Sequence, residues 1–239
     1  MFFKFRKNKD KNKNELTGKI KYIVAGLGNP GDKYFHTRHN AGFLALDYIS
    51  QKYNFKINTV KFKSLCAKYE IKGEENSGVL FMKPQTYMNN SGDAVAEAAR
   101  FYKIPPENIL VISDDVSLPA GKLRIRKSGS DGGQKGLKSI IYNLSTDEFP
   151  RIKIGAGEKP HPDYDMTGAA KPGDIVSELP RQPKTQKRFP EKQDMKDYVL
   201  SGFHKDEIEP MKKAMERACE ALEYMVEGRI DEAMQRFSK

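Results

Sequence analysis

His39 is a candidate base for activating water, and Asp114 a candidate to orient it. A neutral imidazole can take a proton from water as the water attacks an acyl carbon. The ring must then be held in one tautomer and the developing imidazolium stabilised, and a buried carboxylate on the second ring nitrogen does both. His39 lies in Thr37-Arg38-His39-Asn40-Ala41-Gly42, shortly after the glycine turn Gly26-Leu27-Gly28-Asn29-Pro30-Gly31, and Asp114 closes the apolar run Ile109 to Ile112. Two amides accompany them: Asn29 in the glycine turn and Asn89 ahead of a helical pattern. An amide both donates and accepts hydrogen bonds, which suits recognition of a peptide bond. Taken singly, each residue also has a plain structural reading. A histidine packs, an aspartate turns or caps a chain, and an asparagine tolerates left-handed geometry or caps a helix.

These residues must be positioned by the elements around them. Ile20 to Gly26 reads as a strand, and Asn40 to Tyr53 as a helix entered through Phe43, Leu44, Leu46, Asp47 and Tyr48. Strands are expected near Phe62 to Ile71 and Val79 to Lys83. A helix is expected from Asn90 to Tyr102, with Ala94, Val95, Ala98, Ala99 and Phe101 as its apolar face. Ile109 to Ile112 is a compact buried strand, Lys122 to Lys127 alternates as a half-exposed strand, and Arg151 to Ala156 is another. Gly129 to Gly133 reads as a flexible loop feeding a helix that ends near Asn143. Strands and helices alternate without a break, so the expected fold is a single-domain, three-layer α/β/α protein with a twisted mixed sheet. Ligands bind outside the carboxyl ends of strands in such sheets. The glycine turn and His39 fall at that place, where glycines let backbone approach a substrate and Pro30 fixes the turn.

The chain has 239 residues, of which 38% are hydrophobic and 31% charged, enough to bury a core without disulfides or metal. Lys and Arg total 42 against 32 Asp and Glu, a formal net charge of +10, which favours a polyanionic partner. Part of that excess lies in residues 1–18, a Lys- and Asn-rich stretch without periodicity that reads as a disordered basic extension of residues 19–239. Cys66 and Cys219 are too few for a disulfide framework or a zinc site. Reduced thiols, the absence of an apolar run after Met1-Phe2-Phe3, and the lack of any membrane-length apolar stretch point to a cytoplasmic protein with no membrane attachment. Residues 158–193, rich in Pro, Lys and Asp, read as a loop insertion. The amphipathic stretch Lys205 to Phe237 carries Ile208, Met211, Ala214, Met215, Ala218, Ala221 and Met225 toward the core, with a turn at Glu227-Gly228-Arg229.

The ordered set of motifs resembles the bacterial peptidyl-tRNA hydrolases. It runs from the glycine turn and the His39 segment through Met82-Lys83-Pro84-Gln85-Thr86-Tyr87-Met88-Asn89-Asn90-Ser91-Gly92 and Ser113-Asp114-Asp115. Gly132-Gly133-Gln134-Lys135-Gly136-Leu137, Arg151-Ile152-Lys153-Ile154-Gly155 and Asp197-Tyr198-Val199-Leu200 complete it. The resemblance implies hydrolysis of the ester between a nascent or N-blocked peptide and tRNA, which recycles tRNA during translation. It implies His39 as base, Asp114 as its orienter, and Asn29 and Asn89 beside the scissile ester. It implies Tyr34 and Tyr87 near the tRNA end of the substrate and phosphate binding by Arg124, Arg126 and Lys153. One departure stands inside the set: the family usually has His-Asn where this chain has Gln134-Lys135, so that Lys135 either takes over the substrate contact as a charge to phosphate or a carbonyl or alters peptide or tRNA preference. No cofactor or metal is expected, because His36 and His39 have metal-compatible spacing but no carboxylate partner motif. The enzyme is expected to be a monomer that engages the acceptor stem and 3′ end of tRNA. The rival reading is a non-catalytic RNA-binding protein of the same fold. A dinucleotide site on Gly26-Leu27-Gly28 is disfavoured, since the third fingerprint glycine and the acidic residue are not in place.

Overall fold

In the computed structural model, residues 19–71, 77–157 and 195–238 are described. The expected basic extension and the expected insertion lie outside them. Seven strands form one sheet in the order β2-β3-β4-β1-β5-β7-β6. They are β1 (Ile20–Gly26), β2 (Thr59–Lys61), β3 (Ser64–Ile71), β4 (Ser77–Pro84), β5 (Ile109–Asp115), β6 (Leu123–Arg126) and β7 (Arg151–Gly155). β4, β1, β5 and β7 are mutually parallel, with β2 and β3 at one edge and β6 at the other added by antiparallel pairing. The central strands are nearly continuous apolar runs, as strands covered on both faces must be.

Among the described residues there are six α-helices: α1 (Ala41–Lys52), α2 (Ser91–Tyr102), α3 (Lys135–Leu144), α4 (Met195–Val199), α5 (Lys205–Val226) and α6 (Ile230–Phe237). On one face Leu44, Leu46 and Ile49 of α1 and Met211, Met215, Ala218 and Leu222 of α5 pack on Val24, Ile112, Ile152 and Ile154. On the other, Val95 and Ala98 of α2 and Leu137 and Ile140 of α3 pack on Ile23, Ala25, Ile109 and Val111. These two faces make the expected three layers. The sheet changes direction at β1, where the chain leads first to β4 on one side and then through α2 to β5 on the other. That switch opens a crevice at the carboxyl ends of β1, β4 and β5.

Three features differ from expectation. Phe101 does not join the apolar face of α2. It is 60% exposed, because in the last turn it overhangs the β2–β3 hairpin and stacks on Phe62 under the ammonium of Lys61. β2 itself is an exposed three-residue edge strand whose composition gives no alternation to read. The Gly129–Gly133 loop, expected to be flexible, is held by the Arg151 guanidinium, which donates to the carbonyls of Gly129 and Ser130.

Candidate active site

The crevice begins with a contact between two glycines. A Cβ on Gly42 would stand 2.3 Å from the Leu27 nitrogen and the Ile112 carbonyl oxygen, and one on Gly26 would stand 2.3 Å from the Gly42 carbonyl oxygen. α1 therefore starts directly on the ends of β1 and β5. The residues just before α1, Arg38 to Asn40, form one 3-10 turn that lies over the end of β5. From that turn His39 Nδ1 reaches Asp114 Oδ2 at 2.9 Å, with the two side chains 12% and 2% exposed. Nδ1 is the donor to the carboxylate, which leaves the Nε2 lone pair as the basic site. Nε2 makes no hydrogen bond among the described residues. The pair expected from sequence is brought together.

A ring of amides and backbone fixes the surroundings. The Asn29 nitrogen donates to Asn40 Oδ1 at 2.8 Å, and Asn40 Nδ2 returns a hydrogen bond to the Asn29 carbonyl at 3.0 Å. Asn29 Oδ1 accepts from the Met88 backbone at 2.8 Å, so its amide acceptor is used internally and its Nδ2 donor is left for a ligand. Asp114 has a second partner: Gln134 Nε2 donates to Asp114 Oδ1 at 2.9 Å. Gln134 is the N-cap of α3, its Oε1 accepting from the Leu137 nitrogen at 2.8 Å. Neither the Asn40 bridge nor the grip of Gln134 on Asp114 emerges from the sequence reading, although a polar residue after a double glycine and before an apolar helix is a capping signal.

Arg38 is a further residue that the sequence reading passes over. Its guanidinium is 1% exposed, pairs bidentately with Glu207 at 2.9 and 2.6 Å, and stacks on Tyr198 at 4.6 Å and Phe203 at 5.1 Å. It also donates to the Ala156 carbonyl, and its own backbone nitrogen donates to Ser201. Glu207 closes the capping box of α5 with His204. The turn that carries His39 is thereby fastened to α4, α5 and the end of β7.

The remaining expected residues lie around the rim. Tyr34 and Tyr87 meet edge to face with ring centroids 6.4 Å apart, and Tyr87 is 52% exposed in left-handed backbone at φ 58°. Asn89 is exposed in the turn before α2 and donates to Asn90 Oδ1 at 3.3 Å; the structure does not join it to the dyad. Its neighbour Met88 makes the inner contacts instead, to Asn29 and Gln134. Lys135, exposed at the first position of α3, makes no ion pair among the described residues. A cation there opposes the helix dipole.

The basic side chains separate. Arg124 and Lys153 are paired in register, and both reach Asp115 Oδ2, at 3.6 and 3.3 Å. Arg126 is opposite Arg151, farther from the crevice, and its guanidinium turns back to the Ile125 carbonyl. Arg151, 1% exposed, serves the neighbouring loop and is not a surface cation. Burial pushes the Asp115 carboxyl up, but hydrogen bonds from Ser117 and the Lys153 charge outweigh it and hold the group below its ordinary value.

An imidazole held by a buried carboxylate, with its other nitrogen open at the switch point of an α/β sheet, is an arrangement able to act as the general base of a hydrolytic enzyme. Among the described residues, no serine, threonine or cysteine side chain contacts the open nitrogen. The peptidyl-tRNA hydrolase family model matches residues 23–168 and 185–239. A peptidyl-tRNA hydrolase of Caldicellulosiruptor saccharolyticus is 43% identical over 213 residues, covering 89% of this chain and 94% of the relative. One of Clostridium botulinum strain Alaska E43 is 44% identical over 217 residues, covering 91% and 95%. The crystal structure of the Acinetobacter baumannii peptidyl-tRNA hydrolase superposes with a TM-score of 0.71 at 28% identity, covering 91% of this chain and 94% of that one. The chain belongs to the peptidyl-tRNA hydrolase family, and so to the carboxylic ester hydrolases.

Proposed function

We propose that this chain hydrolyses the ester joining a peptide to the 3′-terminal ribose of tRNA, with His39 as general base and Asp114 as its orienter. The observation that carries the reading is the 2.9 Å contact between His39 Nδ1 and Asp114 Oδ2, with Nε2 open to the crevice. In this mechanism Nε2 removes a proton from water as the water oxygen bonds to the ester carbon. Asp114 stabilises the imidazolium. Collapse of the tetrahedral intermediate breaks the bond to the ribose oxygen, which takes the proton back from Nε2. Water is the nucleophile, and no acyl-enzyme forms.

The Asn29 Nδ2 donor binds a carbonyl of the peptide next to the ester. It thereby favours an N-blocked aminoacyl group over one with a free ammonium. Asn89 and backbone N–H groups stabilise the oxyanion as the substrate closes on them. Tyr34 and Tyr87 pack on the terminal base or the peptide. Arg124 and Lys153, with Lys135 on the near side and Arg126 farther out, bind phosphates of the acceptor stem. Such contacts supply affinity and register without reading sequence. The enzyme works as a monomer in the cytoplasm, releasing tRNA from peptides that leave the ribosome early. No described helix is long and apolar enough to cross a membrane.

Release of N-acetyl-aminoacyl groups from tRNA by the wild type and by His39→Ala tests the reading. Turnover by the wild type, lost in the variant with tRNA still bound, supports it. A folded wild type that binds tRNA and releases nothing contradicts it in favour of an RNA-binding role.

A further inference from the structure

We infer that Gln134 is a positioning residue of the hydrolytic dyad: its Nε2 grips Asp114 Oδ1 and keeps Oδ2 aimed at His39 Nδ1. The inference rests on the proposed role of His39 and deepens it. Asp114 is 3% exposed, so each oxygen needs a partner from the protein, and the described partners are His39 on one and Gln134 on the other. Gln134 is itself constrained. Its Oε1 is fixed by the Leu137 nitrogen in the first turn of α3, and its Nε2 also approaches Met88 Sδ at 3.1 Å. With the acceptor end held by the helix, the donor end is turned to Asp114 and the Met88 sulfur. The amide does not titrate, and its N–H donates to the carboxylate that faces His39. The result is a chain of three side chains, from the N-terminus of α3 through Gln134 and Asp114 to the imidazole.

The other charges at this end of the sheet engage elsewhere. Asp115 on β5 meets Ser117, Lys153 and Arg124. Arg38 beside His39 pairs with Glu207, and Arg151, at the far end of β7, holds the Gly129–Ser130 backbone. Lys135 and Lys138 of α3 are exposed. Gln134 is thus the described group that acts on the second oxygen of the orienter.

Gln134→Glu separates this role from simple helix capping. A carboxylate still accepts from the Leu137 nitrogen and is welcome at a helix N-terminus, so a capping role alone leaves folding and catalysis as they were. It cannot donate to Asp114, and it brings a like charge toward it. The expected result is a chain that still folds, with a melting temperature below the wild type at neutral pH and unchanged tRNA affinity. kcat for N-acetyl-aminoacyl-tRNA falls about tenfold or more at neutral pH, with KM changed by less than about twofold. The ascending limb of kcat/KM moves to higher pH, because the added charge stabilises the imidazolium. Wild-type kcat and an unmoved pH profile overturn the inference. If Gln134→Glu does not fold, Gln134→His puts the same question. It restores an N–H donor on a titrating ring, so a second titration is expected in the profile, and a profile identical to the wild type overturns the inference. Wild-type release by His39→Ala would sink the dyad itself. A dead His39→Ala beside an undisturbed Gln134→Glu removes only the role of Gln134.

Discussion

Asp114 and Asp115 are consecutive residues of β5, and they serve two differently built regions. Asp114 is sealed under the His39 turn, where its oxygens take one imidazole nitrogen and one amide. Asp115 turns to the opposite face, where it gathers a serine and two cations, Arg124 and Lys153, at the rim. The alternation of a strand is enough to separate them. In the first region the groups are neutral or singly charged and fully constrained, which is what proton transfer requires. In the second, positive charge is parked against a carboxylate at partial exposure, where an incoming phosphate can compete for it. On the proposed function, chemistry and affinity fall to different residues, and substitutions should divide the kinetic constants along the same line.

The largest expected effect is on the buried side. His39→Ala should lower kcat by about 10²- to 10⁴-fold, with tRNA affinity unchanged. Next comes the fastening of the His39 turn. Arg38→Leu leaves Glu207 without its partner beneath α5, and breaking a buried ion pair costs about 3–5 kcal/mol, discounted here toward the lower end because Glu207 is 17% exposed. Denaturant unfolding should show that loss, while Lys212→Ala on the exposed surface of α5 shows almost none. On the rim, Lys153→Ala should leave kcat alone, raise KM several-fold, and reduce the salt dependence of tRNA binding by about one unit of slope. Arg126→Ala should do less, since its side chain lies farther out. A KM effect from His39→Ala, or a kcat effect from Lys153→Ala, would blur the division.

The smallest effects are in the pH dependence of stability. Asp115 titrates below its ordinary value in the folded chain, so its contribution is present above the ordinary carboxylate range and is lost as the pH falls through the folded value. Burial pushes the thiols of Cys66 and Cys219 up from 9.0 to about 11. Their contribution is complete below 9.0 and is lost as the pH rises toward about 11. Thiol reagents at neutral pH should therefore leave both cysteines unlabelled until the chain unfolds, and rapid labelling of the native protein would contradict their burial.

Much of this division is legible in the sequence. The run Ile109 to Ile112 followed by Ser113-Asp114 marks a buried strand that ends in a carboxylate, and the glycine turn followed by His39 marks the neighbouring strand end. Periodicity also places Ile208, Met211, Ala214, Met215, Ala218, Ala221 and Met225 on the core, where all are found buried. The polar contacts made across the fold are not legible there. Arg38 looks like any surface arginine, because Glu207, Tyr198 and Phe203 lie far along the chain. Arg126 and Lys153 look equivalent until the antiparallel register of β6 and β7 carries Arg126 away from the crevice. Gln134 reads as a departure from a motif, and only its hydrogen bonds to Asp114 and Leu137 show what it holds.

The central claim is that Asp114 works through His39. Single-turnover hydrolysis of N-acetyl-aminoacyl-tRNA by His39→Ala, Asp114→Asn and the double variant tests it most directly. If the two residues act as one unit, each single variant is slow and the double variant is no slower than His39→Ala. Rate losses that multiply in the double variant would show that Asp114 acts on the reaction independently of the imidazole, and would contradict the account.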